Sequence, residues 1–84
     1  MTISPVSFGT AVSPRRAERL ARRVGDAAVA FEADRFDEAR SILAPIAREA
    51  PDVAEVRELL GLAYYRLGRW RDAVCELEAF GELT

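Results

Sequence analysis

Histidine and lysine are absent from this 84-residue chain, and cysteine occurs once, at Cys75. Each absence excludes a class of chemistry. Without histidine there is no imidazole to act as a base near neutral pH. One thiol makes neither an internal disulfide nor a zinc site of the usual kind. Cys75 stands beside Glu76 and near Glu78 with no histidine to activate it, so a nucleophilic role is not expected. No phosphate loop is present and no nucleophile–base arrangement can be built, so neither an enzyme nor a bound cofactor or metal is expected. The longest apolar run, "LLGLAYY", is far too short to span a bilayer. The opening "MTISPVSFGTAVSP" has no basic segment and no long apolar stretch, and so does not read as a secretory leader. The expectation is a reduced, cytoplasmic protein. A net charge of −2 gives no global attraction to nucleic acid or membrane.

Half of the residues are apolar and 31% are charged, the composition of a soluble, helix-rich domain. Residues 1–13 lack any period and read as a flexible N-terminal arm; residues 14–84 read as one helical domain. Ser13-Pro14 starts a helix, with serine as cap and proline in the first turn. Ala17, Leu20, Ala21, Val24, Ala27, Ala28 and Phe31 follow on one face to about Ala33. Asp34-Arg35 make a turn, and a second helix buries Phe36, Ala39, Ile42, Leu43 and Ile46. Pro45 should kink that helix or end it early. Asp52 with Glu55 forms a capping box for a third helix, which carries Val53, Val56, Leu60, Ala63, Tyr64 and Leu67 inward. Gly68 ends it in the left-handed conformation. The fourth helix is expected to bury Trp70, Ala73, Val74, Leu77 and Phe80.

The chain repeats itself. At a spacing of 34 residues Arg35 matches Arg69, Ala39 matches Ala73, Leu43 matches Leu77, and Phe36 is answered by Trp70. A two-helix unit of this length resembles the tetratricopeptide repeat. In the second unit the resemblance rests on Leu60-Gly61, Tyr64, Gly68, Trp70, Ala73 and Leu77. In the first it rests on Ala27, Phe36, Ala39, Leu43 and Pro51, while Asp26 and Ala30 depart from the pattern, which wants leucine and tyrosine there. The resemblance implies an all-α fold of two antiparallel hairpins, residues 20–53 and 54–84, stacked as a short right-handed solenoid. It also implies a non-catalytic module that holds a protein or peptide in a groove lined by the first helix of each pair. The matching positions are Ala21, Val24, Ala28 and Phe31, then Glu55, Glu58, Leu62, Tyr65 and Arg66. A groove of mixed apolar and acidic character suits an apolar or basic segment. It lacks the lysine and asparagine set with which some family members clamp a terminal carboxylate. Phe31, Leu62 and Tyr65 equally suit packing between repeats or in an oligomer.

Two further surfaces stand out. Arg15, Arg16, Arg19, Arg22 and Arg23 give the first helix a basic face, so that residues 1–25 carry +4 and the remainder −6. That face reads either as a solvated surface pairing with this chain's own acids or as an electrostatic arm for nucleic acid or an acidic partner. No aromatic residue is interleaved with the arginines, as single-strand binding would favour. The apolar side is mostly alanine, which is weak for membrane insertion. At the other end Val74, Phe80 and Leu83 of the fourth helix have nothing after them in sequence to cover them. A homodimer through these three residues is expected, with Val6 and Phe8 of the arm as an alternative cover.

Overall fold

Ser13 caps the first helix as expected: its Oγ accepts the Arg16 N–H at 3.4 Å, and Pro14 stands in the first turn. The computed structural model describes residues 13–84, so the rest of the N-terminal arm, Val6 and Phe8 included, lies outside the described residues. Four α-helices follow, α1 (Pro14–Glu32), α2 (Phe36–Glu49), α3 (Ala54–Arg66) and α4 (Trp70–Leu83), with no strand among the described residues. The all-α expectation therefore holds.

Of the two alternatives at Pro45, a kink or an early end, the early end does not occur: α2 runs on to Glu49, although proline offers no N–H to the Ser41 carbonyl. One local expectation needs correction. The Asp52–Glu55 capping box does not form: the cap of α3 is Val53, with no side-chain hydrogen bond. That connection is held instead by Arg57, whose Nε donates to the Pro51 carbonyl at 3.2 Å.

The repeat seen in the sequence reappears as repeated contacts. Asp34 and Gly68 both take left-handed φ values, 61° and 76°. In the first turn the Arg35 N–H reaches back to the Ala30 carbonyl at 2.8 Å, and in the second Arg69 does the same to Tyr64 at 2.9 Å. Together with Asp34 N–H to Phe31 and Gly68 N–H to Tyr65, these are two Schellman closures, which satisfy the last carbonyls of α1 and α3. Arg35 then pairs with Glu38, and Arg69 with Asp72, each at 2.8 Å. Across each turn two aromatic rings meet edge to face, Phe31 with Phe36 at 5.0 Å and Tyr65 with Trp70 at 5.1 Å.

Each helix packs chiefly on its neighbour in sequence, α1 on α2, α2 on α3 and α3 on α4; α1 meets α3 only slightly and does not touch α4. Such nearest-neighbour packing is what defines a repeat stack. The main core joins Leu20, Val24 and Ala27 to Leu43, Ile46 and Ala47, and both groups to Val53, Val56 and Leu60. Burying a side chain such as Leu43 contributes about 1.5–3 kcal/mol. A second cluster, Ala30, Ala39 and Ala63 with Phe31 against it, lets three helices approach closely near the turns. Gly61 serves the same end between α3 and α4: a Cβ there would lie 2.8 Å from Cγ and Cδ2 of Leu77.

The expected core of α4 is only partly realised. Ala73 is buried and Leu77 and Phe80 are half-buried, but Trp70 is 59% and Val74 53% exposed. The reason is positional. Beyond the Tyr65 ring at the turn, which meets Trp70, no described helix packs on the side of α4 that carries them.

Candidate partner-binding surfaces

Helix α3 carries its non-core residues in order. Glu55, Glu58, Leu62 and Tyr65 are spaced 3, 4 and 3 apart, which places them along one stripe of an α-helix. All four are exposed, Leu62 at 39% and Tyr65 at 54%. The core residues Val56, Leu60 and Ala63 occupy another side, so the stripe is not needed to hold α3 in place. Across the shallow α1–α3 contact, Ala28 and Phe31 of α1 are half-buried, and Ala21 packs against the main core. Six of the seven expected groove positions thus have accessible surface. Val24 does not. It is buried at 6% within the main core, because the Leu20–Val24–Ala27 stripe is what fastens α1 to the rest of the stack.

The expected self-association set also divides. Val74 and Leu83 are exposed while Phe80 is half-buried. Val74 and Leu83 are nine residues apart, half a turn out of phase on a helix, so they lie on opposite sides of α4. One flat interface cannot contain both. The residue that shares Val74's side is Trp70, expected in the core of the fourth helix and found exposed. Together with Arg71 and Cys75 these two line an apolar depression of about 400 Å³.

On the basic face of α1, Arg16 pairs with Glu49 of α2 at 3.3 Å. Arg15, Arg19, Arg22 and Arg23 are exposed and form no ion pair among the described residues. Glu76, named above only as a neighbour of Cys75, has a largely covered side chain that accepts from the Arg57 guanidinium at 2.7 Å, joining α4 to α3. The available signal was position: Glu76 stands 34 residues after Ile42, an inward residue of α2. Beside this pair a cleft of about 340 Å³ runs between Ala44, Arg48, Pro51 and Tyr64. No described helix is long and apolar enough to cross a membrane.

Two helical hairpins with matching turns and nearest-neighbour packing define a helical-repeat protein. The sequence model of the tetratricopeptide repeat matches residues 30–80, more than half of the chain. The chain belongs to that family. No curated protein and no solved structure matches it.

Proposed function

We propose that this chain is a non-catalytic protein-interaction module which seats a partner segment along α3 and also associates with itself. The observation that carries the first part is the exposed stripe Glu55–Glu58–Leu62–Tyr65, flanked by Ala28 and Phe31. Aromatic and aliphatic side chains that the fold leaves accessible supply the apolar contact area. The two carboxylates one and two turns away favour a segment with basic residues at matching spacing. Membership of a family of interaction modules supports the same reading, as does the lack of histidine.

The test is capture of partners from the native host by the whole protein, compared with Leu62→Ala/Tyr65→Ala. Loss of specific capture with helicity retained by circular dichroism is expected. Unchanged capture removes this stripe from consideration. A second reading is favoured by the four arginines of α1 that form no ion pair among the described residues, which suit an acidic partner or nucleic acid. It requires binding to an oligonucleotide at low salt that falls as salt is raised and falls again in Arg15→Ala/Arg19→Ala/Arg22→Ala. No binding at low salt rejects its nucleic-acid form.

A further inference from the structure

The internal repeat gives a standard for judging which faces of the stack are complete. In the first repeat Phe36, Arg40, Leu43 and Ala47 form the side of α2 that α3 covers: Leu43 and Ala47 are buried there, and the Arg66 guanidinium lies 5.7 Å over the Phe36 ring. Thirty-four residues on, the same side of α4 carries Trp70, Val74, Leu77 and Gly81; α3 reaches only its edge, where Leu77 packs on Gly61, and no described helix covers the rest. A neighbouring stripe on α4 carries Arg71, Glu78 and Glu82, all exposed and in no ion pair among the described residues.

We infer that this face is closed by α4 of a second copy of the chain, antiparallel and related by a two-fold axis, with each Trp70 seated on the other copy's Gly81. The inference specifies the self-association proposed above and replaces its residue set; it does not depend on the α3 stripe.

Head-to-tail stacking, with α1 of one copy taking the place of α3, fails on chemistry. The positions of α1 that match Val56, Leu60, Ala63 and Arg66 are Arg22, Asp26, Val29 and Glu32. Asp26 would be buried where Leu60 sits, an unpaired charge in an apolar contact. Glu32 would set a carboxylate over the Trp70 ring, whose face repels anions and attracts cations. The N-terminal side of the stack is thus polar and closed to stacking, while the C-terminal side is apolar and open. A surface that must pair with itself does so through a two-fold axis, each residue meeting its counterpart's partner.

The antiparallel register then follows from size and charge. Setting Trp70 opposite Gly81 of the second copy sets Val74 opposite Leu77, large against small at the ends and aliphatic against aliphatic in the middle. The same register brings Arg71 between Glu78 and Glu82 of the second copy, which joins the three free charges of each copy along one rim of the interface. Gly81 supports this seat independently. A Cβ there would meet nothing within 4 Å among the described residues, so no described contact inside one copy calls for glycine in this helical turn. Glycine weakens a helix relative to alanine, and room for an indole gives a reason for it.

Light scattering under reducing conditions should give a mass near twice 9.3 kDa. Emission of the single tryptophan should shift to the red as the protein is diluted and the indole is released to water. Gly81→Leu should keep or raise helicity yet shift the protein to the monomer. Arg71→Glu should weaken association by about tenfold or more, and Glu78→Arg/Glu82→Arg added to it should restore it. A monomer at about 1 mM overturns both the self-association and this interface. A dimer indifferent to Gly81→Leu and Arg71→Glu overturns the interface alone, and a series of larger masses would show head-to-tail stacking instead.

Discussion

Phe36 and Trp70 hold the same place in their repeats, each meeting an aromatic ring across a Schellman turn, each one residue after an arginine. Phe36 is half-buried with Arg66 above it, and Trp70 is left with more than half of its surface in water. Nothing within either hairpin accounts for the difference. It comes from the next element: α3 lies over α2, and no described helix lies over α4. In a repeat stack the environment of a residue is set as much by its neighbouring unit as by its own.

The comparison is tested hardest at Leu43 and Leu77, matching residues of α2 and α4. Leu43 is fully buried between α1 and α3, whereas Leu77 packs on Gly61 on one side and is open on the other. Leu43→Ala should cost about 3–5 kcal/mol, near the upper end for such truncations. That is enough to unfold much of a domain this small. In the dissociated monomer, at protein concentrations too low for association, Leu77→Ala should cost about 2 kcal/mol or less. Urea unfolding followed by circular dichroism at low protein concentration measures both. Equal losses in the monomer would mean that the two hairpins are equally covered within one copy.

A smaller effect separates the two helix crossings. Ala27 and Gly61 are matching positions, each buried, but only at Gly61 does the neighbouring helix come so close that a Cβ would meet Leu77 at 2.8 Å. Gly61→Ala forces the leucine or the helix to move, at about 1–3 kcal/mol. Improved helix propensity offsets about 1 kcal/mol of that. A net loss of up to about 2 kcal/mol in the same urea assay is expected. A net gain would show that α3 and α4 stand further apart than described.

These outcomes bear on what could be read in advance. The 34-residue period, the four helices and both turn positions were legible because they are local: matching apolar positions, a proline in a first turn, and Gly68 where a helix must close. What was missed depends on the phase of a helix against neighbours that sequence does not order. Val24 matches Glu58 in the repeat, and the groove assignment treated them alike; yet Val24 fastens α1 to the core while Glu58 faces water. Trp70 and Val74 carry the residue types of a core without a helix to bury them. The Asp52–Glu55 spacing fits a capping box, but Val53 caps the helix and Arg57 holds the loop.

The smallest effect concerns the turns, where the repeats agree in conformation and differ in residue. Asp34 and Gly68 both stand at positive φ, closing the same pair of backbone hydrogen bonds. Aspartate enters this region at a cost, since its Cβ crowds the following carbonyl, by roughly 1–2 kcal/mol for an ordinary residue and less for one with a short polar side chain. Glycine has no Cβ to crowd, but it loses more freedom on folding, by about 0.5–1 kcal/mol relative to alanine. Asp34→Gly should therefore stabilise the protein by only about 0.5 kcal/mol. Gly68→Asp should destabilise it by a similar amount. Because the two turns lie in different hairpins, the double exchange should return stability to near its starting value, within the few tenths expected for independent sites. Thermal unfolding of the four proteins, the parent included, measures this cycle. A double exchange that departs clearly from zero would show that the turns, alike in backbone, are held unequally by what surrounds them: Arg66 over Phe36 at one, and open solvent around Trp70 at the other.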